Sequence, residues 1–208
     1  MKGTKTTNKS INLKIRKAKK DDLNDILRIL SLSFERELNK IFGDVVEGRE
    51  ILKRAMERLD ELKGVYVAEC VNSNKILGCV SISAKEIDNK LPIGREAIKS
   101  LGFAKGTRAK LLLSFFKEKP KKKDICIYYI AVSKFYRNMG VGTALYRKVE
   151  ELAKLNNKNR IRVWVSVEND VGIDFFLKKD FQIAKMIDSK FTKKYFDQRY
   201  WYLMEKIL

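Results

Sequence analysis

The sequence predicts an α/β chain, and three observations carry that expectation. Short apolar runs alternate along the chain with amphipathic stretches at helical spacing. Residues 125–132, Ile-Cys-Ile-Tyr-Tyr-Ile-Ala-Val, are almost wholly apolar, as a central strand buried on both faces would be. That run enters a basic turn, Arg137-x-x-Gly140-x-Gly142. The turn leads into a helix with Leu145, Val149, Leu152 and Ala153 on one face.

In chain order, residues 1–10 are polar and expected to fray, and 11–18 alternate apolar and basic side chains like a half-exposed strand. Asp21 or Asp22 then caps a helix bearing Leu23, Ile26, Leu27 and Leu30 on one face. A second helix is expected over 47–62, with Ile51, Ala55 and Leu59 inward. Residues 64–71 and 75–84 read as a hairpin turning at Asn72-Ser73-Asn74. After the central strand and its helix come a strand over 161–167 and a short helix capped by Asn169 or Asp170, containing Ile173, Phe176 and Leu177. A strand starting at Phe181 follows.

The 208 residues suffice for one sizeable core and would be cramped as two domains, so a single domain over 1–208 is expected. No apolar run is long enough to cross a bilayer, and the lysine-rich start lacks an apolar segment behind it, which predicts a cytoplasmic protein. Cys70, Cys79 and Cys126 lie in apolar stretches without metal-ligand spacing, which predicts reduced core thiols and no metal. The absence of histidine removes the commonest general base.

The glycine turn is the chief functional signal. Glycines let backbone N–H groups approach an anion, and the helix behind them points its positive end at the same place. The pattern fits a phosphorylated ligand; the alternative is a tight strand-to-helix connection. It is not a P-loop, since no Gly-Lys-Ser/Thr follows, and Arg137 stands where a dinucleotide fingerprint needs glycine.

From 124 to 181 the order of strand, Ile130-Ala131-Val132, Arg-x-x-Gly-x-Gly, helix, strand, Asn169 and an aromatic helix ending at Phe181 resembles the GCN5-related N-acetyltransferase family, GNAT. Residues 202–208 resemble its closing strand. The resemblance implies an α+β domain of the GNAT acyl-CoA N-acyltransferase fold, with a mixed, mostly antiparallel sheet flanked by helices. Acetyl-CoA would lie between the strands at 125–132 and 161–167 and pass its acetyl group to a primary amine in a ternary complex, without a metal. By match of position, backbone groups of Ile130, Ala131 and Val132 would hold the pantetheine arm. The Ile130 N–H would face the thioester oxygen. Arg137, Asn138, Met139, Gly140, Val141, Gly142 and Thr143 would form the pyrophosphate loop. Asn169 and Phe176 match positions near the cofactor arm, although a plain helix cap explains Asn169 equally well.

The acid and base are not legible. Family glutamate positions hold Cys126 and Trp164, the usual tyrosine is Phe176, and the usual glycine is Asp180. Tyr128 and Tyr129, expected on opposite strand faces, are candidates for proton donor or are wall aromatics. Water, Glu35 or Glu37 remain as routes for deprotonation. Residues 85–123 form an insertion between the third and fourth strands, with a helix expected over 108–117. Its leucines and Phe115 and Phe116 pack on the domain, cover the substrate or meet a partner.

The net charge of +19 has two readings, nucleic-acid binding or a lysine-rich surface. No regular basic–aromatic interleaving is visible, which favours the second. Two leading function classes stand, an acetyltransferase and a weak or inactive acyl-CoA-binding regulatory module, with nucleic-acid binding third. The acceptor is open between peptide and small-molecule amines, and the protein is expected as monomer or homodimer.

Overall fold

A computed structural model describes residues 11–87, 91–114 and 120–208. One seven-stranded sheet organises them. Its strands are β1 (Leu13–Lys17), β2 (Val65–Cys70), β3 (Ile76–Ser83), β4 (Asp124–Val132), β5 (Arg160–Ser166), β6 (Gln182–Asp188) and β7 (Tyr200–Ile207), in the order β1-β2-β3-β4-β5-β7-β6. Only β4 and β5 pair in parallel; all other neighbours are antiparallel. The expected mixed, mostly antiparallel sheet is the one found.

Helices cover both faces. Helix α5 (Val141–Leu155) lies on one side, where Leu145 and Val149 pack with Ile125, Ile127, Val163 and Val165. Helices α1 (Leu23–Ser33) and α3 (Val45–Glu57) lie on the other, where Ile26, Leu27 and Met56 meet Val67, Cys79 and Ala131. Helix α6 (Asp170–Leu177) follows β5. Asp44 caps α3, accepting from Val46 N at 2.8 Å and Glu47 N at 2.9 Å, so this helix begins two residues before the expected start and ends at Glu57. Asp22 is not a side-chain cap for α1. Its carboxylate binds the Arg16 guanidinium at 2.7 and 2.9 Å and the Lys19 amide at 2.7 Å, tying β1 to the turn before α1.

A third apolar cluster was not foreseen. Helix α2 (Glu35–Phe42), separated from α1 by Phe34 alone, combines with α3, α4 (Ile93–Ser114) and α7 (Lys190–Phe196). Leu38, Ile41, Ile51, Ala109, Leu112 and Phe196 form its centre. The insertion helix is thus longer than the expected 108–117 and breaks at Gly102, whose φ of 77° and ψ of 170° are not helical. Its halves fold back closely: a Cβ on Gly106 would lie 2.3 Å from the Ile98 Cα. Of the apolar residues singled out there, Leu112 is buried, Leu113 packs at the margin, Leu111 is exposed, and Phe115 and Phe116 lie outside the described residues. Lys158 pins both ends of the insertion. Its ammonium reaches Glu86 at 2.7 Å and the Lys122 carbonyl at 2.8 Å.

Candidate functional site

β4 and β5 part company halfway along. They pair from Asp124 with Arg160 to Ile127 with Val163; β4 then continues on β3 to Val132, and β5 continues on β7 to Ser166. A bulge sits where they separate. Ser81 pairs with Tyr129 and Ile82 with Ile127, leaving Tyr128 as the extra residue. The bulge moves the side-chain phase by one: Ile125 and Ile127 face α5 before it, Ile130 and Val132 after it. β4 is therefore buried on both faces only from Asp124 to Ile127, not over its full length as expected.

The parting exposes a backbone edge inside the sheet. The Ser133 amide donates to the Leu77 carbonyl at 2.9 Å, toward β3. Amides alternate direction along an extended strand, so those of Tyr129 and Ala131 share that direction. The amides of Ile130 and Val132 point the other way, into the space that β5 has left. The Val132 carbonyl accepts from Arg137 Nε at 3.3 Å, which ties the following loop to the strand end.

That loop runs through a 3-10 turn (Lys134–Tyr136) to Asn138 and Gly140, whose φ values of 61° and 82° are left-handed. Glycine tolerates this at Gly140 without strain. Met139 is exposed. Helix α5 starts at Val141 with no side-chain cap from Gly140, so the first-turn amides of Val141, Gly142 and Thr143 have neither intrahelical nor capping partners. Unsatisfied donors and the helix dipole act in the same sense and favour an anion.

Two glycines set the packing around this turn. A Cβ on Gly142 would stand 3.3 Å from Phe175 Cε2 and 3.7 Å from Val132 Cγ2, so this glycine seats α5 against α6 rather than clearing open space. Gly78, not recognised in the sequence, matters more. A Cβ there would lie 2.8 Å from the Ala131 carbonyl oxygen and 3.1 Å from Val141 Cγ1 and Leu145 Cδ1. A glycine inside a strand pattern is the signal that could have found it, since it marks close approach of another element.

The side chains proposed for chemistry separate into distinct environments. Tyr128, at the bulge, is 37% exposed. Tyr129 packs with the α1 cluster, its ring edge-on to Phe34 at 6.3 Å. Burial pushes its hydroxyl well above the usual tyrosine range, despite a bond with Ser81. The simple alternation expected for these two tyrosines is broken by the bulge. Cys126 is buried, Trp164 half-buried, and Phe176 sits in the core 5.2 Å from Phe175 and 5.0 Å from Phe181. Asp180 adopts a left-handed φ of 63°. Asn169 caps α6, accepting from the Gly172 amide at 3.0 Å. Glu37 accepts from Gln198 at 3.3 Å, and Glu35 lines an open cavity of about 480 Å³ with Arg36, Asn39 and Lys40. No group of three or more metal-ligating side chains occurs among the described residues, and no helix there is long and apolar enough to cross a membrane.

A mixed sheet thus opens beside an uncapped helix N-terminus, with strand amides aimed into the opening, an arrangement suited to an extended, phosphorylated ligand. The comparisons agree. Residues 23–181 match the family model described as the acetyltransferase (GNAT) family, and the chain belongs to that family of acyltransferase enzymes, whose cosubstrate is acetyl-CoA. An uncharacterised N-acetyltransferase of Methanocaldococcus jannaschii is 32% identical over 68 residues, which span 32% of this chain and only 30% of that protein. Among solved structures, Ard1 from Thermoplasma volcanium aligns with a TM-score of 0.60 at 18% identity, covering 94% of this chain and 97% of that one. Ribosomal-protein-alanine N-acetyltransferase from Brucella melitensis aligns with a TM-score of 0.58 at 16% identity, covering 94% and 99%. At these identities the likeness to solved structures carries the fold.

Proposed function

We propose that the chain is one acetyltransferase domain that moves the acetyl group of acetyl-CoA directly to a primary amine bound on the α1–α2 side of the β4–β5 opening. The observation that carries this reading is the pair of amides, Ile130 and Val132, aimed into that opening beside the uncapped start of α5. Bound acetyl-CoA supplies a thioester, whose carbonyl carbon gains the new N–C bond as the C–S bond breaks. The Ile130 N–H donates to the carbonyl oxygen as negative charge grows there, the kind of fixed dipole that lowers such barriers. Backbone groups of Ala131 and Val132 align the pantetheine arm. The amides of Asn138, Met139, Gly140, Val141, Gly142 and Thr143 hold the pyrophosphate, with Arg137 bracing the loop.

Two protons must move: one leaves the attacking ammonium, and one reaches the departing thiolate. Tyr128 is the proposed donor to the thiolate, because it is exposed at the point where the strands diverge. Tyr129 is assigned to the wall, because its hydroxyl is desolvated and engaged by Ser81. The amine loses its proton through water or to Glu37.

Calorimetry with acetyl-CoA, coenzyme A and ATP tests the cofactor assignment. Micromolar binding of acetyl-CoA is expected, and Gly142→Asp should lose it, since its side chain crowds Phe175 and places a negative charge in the first turn of α5, beside the anion site. A folded Gly142→Asp protein with unchanged affinity would remove the loop from the site. With an amine panel, Tyr128→Phe should lower kcat by on the order of a hundredfold while leaving acetyl-CoA affinity intact, whereas Tyr129→Phe should not. The opposite ranking would reverse the assignment.

A further inference from the structure

Basic residues exceed acidic ones by 19 along the chain, but an overall excess does not say where a polyanion docks. The fold concentrates it. Helix α7 and the start of β7 read Lys190-Phe-Thr-Lys-Lys-Tyr-Phe-Asp-Gln-Arg-Tyr200, a basic–aromatic interleaving that sequence inspection passed over. In the folded chain Lys190, Lys193, Lys194 and Arg199 line one open cavity of about 210 Å³. Lys193 pairs with Asp197 and Arg199 with Asp188, each at 2.7 Å. Lys190 and Lys194 are in no ion pair among the described residues. Two of the four cations are therefore balanced by carboxylates, and Lys190 and Lys194 supply the cavity's excess positive charge. Helix α7 is held from its other side, by the buried Phe196 and by the Trp201 indole donating to Thr192 Oγ1 at 3.0 Å.

Two of these cations lie over the ring of the tyrosine that follows them in the chain. Tyr200 is 39% exposed with the Arg199 guanidinium 5.2 Å over its ring. Tyr195 is half-buried, its ring 4.9 Å from that of Phe191, with the Arg108 guanidinium 5.7 Å and the Lys194 ammonium 5.3 Å from its centre. Arg108 arrives from α4 and also donates to the Lys40 carbonyl of α2 at 3.3 Å, which fixes its guanidinium near the Tyr195 ring.

We propose that this face binds single-stranded RNA, with phosphates in the cation cavity and a base on the exposed ring of Tyr200. Cations that track a backbone beside rings on which bases stack are what sequence-tolerant single-strand binding requires. An acidic polypeptide would engage the cations and leave the ring unused. None of these residues belongs to the acetyl-transfer site, so the two readings stand or fall separately.

The test is fluorescence anisotropy with a labelled oligouridylate of about twelve nucleotides, titrated between about 50 and 200 mM salt. Lys190→Glu/Lys194→Glu should weaken binding about tenfold or more. It should also flatten the log–log salt slope by about 1.4, the counterion release of two phosphate contacts on a single strand. Lys63→Glu/Lys75→Glu, at exposed positions elsewhere with the same charge change, should stay within about twofold of the parent. Tyr200→Ala should weaken binding about fivefold or more. Circular dichroism checks that each variant is folded, and turnover of acetyl-CoA should be unchanged in all of them. Equal losses in the two lysine doubles would reduce the binding to net charge and overturn the site. An unaffected Tyr200→Ala, with inorganic phosphate competing effectively, would leave only an anion cavity. Stronger competition from polyglutamate than from unlabelled RNA would assign the face to an acidic protein.

Discussion

Replacing Gly78 by alanine should both destabilise the protein and weaken acetyl-CoA binding. The added methyl would stand 2.8 Å from the Ala131 carbonyl oxygen, closer than carbon and oxygen pack, and 3.1 Å from Val141 Cγ1 and Leu145 Cδ1. The oxygen belongs to β4 and the two methyls to the first turns of α5, so relief requires the turn that carries the proposed pyrophosphate amides to lift from the strand. Overpacking of this kind costs about 1–3 kcal/mol. Alanine recovers about 0.5–1 kcal/mol of the entropy that glycine loses in a strand. A net loss of roughly 1–2 kcal/mol corresponds to a fall in melting temperature of about 2–8 °C for a chain of this size. Gly142→Ala, with its nearest contact at 3.3 Å on the edge of a side-chain ring, should cost less. Thermal unfolding of both variants, with calorimetric titration of acetyl-CoA, measures the order. A Gly78→Ala protein as stable as the parent, or less affected than Gly142→Ala, would refute the packing argument. A stability loss with unchanged cofactor affinity would refute the link between this contact and the cradle.

Three further outcomes follow from single contacts. Lys158→Met removes the charged donor from the Lys122 carbonyl and from Glu86, and a hydrogen bond to a charged group contributes about 1.5–3 kcal/mol; urea unfolding should register it, and an unshifted midpoint would show that the insertion is anchored elsewhere. Burial alone would raise the Asp22 carboxyl, but the Arg16 guanidinium and the Lys19 amide outweigh it and hold the group below its ordinary 3.8. Its stabilising contribution is therefore complete above pH 3.8 and is lost as pH falls through the depressed folded value, so Asp22→Asn should flatten the acid limb of the stability profile. Identical limbs would deny the coupling. Bonds from Ser73 lower the Cys70 thiol, whereas burial pushes Cys79 up to about 12 and Cys126 is inaccessible. Mass spectrometry after brief alkylation of native protein should find Cys70 modified and the other two spared, a pattern that labelling at Cys79 would contradict.

What was legible in the sequence is what local chemistry determines. The hairpin of β2 and β3, the central strand, the glycine turn, α5 and the α6 cap each announce themselves within a few residues, through periodicity or a cap. The features that escaped depend on partners distant along the chain. The α1–α2 break at Phe34 interrupts an apolar pattern that runs on without glycine or proline. Its cause is tertiary: Phe34 contributes to both the α1 cluster and the α2–α4–α7 cluster. Helix α7 is seven residues, too short for a periodic signal, and is held by Phe196 in that same third cluster. The insertion supplies Ala97, Ala109 and Leu112 to this cluster, with Ile93, Leu101 and Leu113 at its margin, so part of its apolar content is packing on the domain.

The bulge at Tyr128 is the most consequential of the unseen features. Period-2 reading of residues 125–132 places Ile127 and Tyr129 on one face and Tyr128 and Ile130 on the other. One extra residue reverses that pairing for the second half of the strand. Ile130 and Val132 then face α5, Tyr129 and Ala131 join the α1 side, and Tyr128 is left exposed at the divergence from β5. The same irregularity ends the ladder with β5 after Ile127, freeing the Ile130 amide for another acceptor. A bulge costs ladder bonds, and nothing in the apolar run itself demands one. It sits where the opening begins, so under the proposed mechanism the strand gives up one pairing register and gains a backbone donor and a tyrosine at the mouth of the cleft.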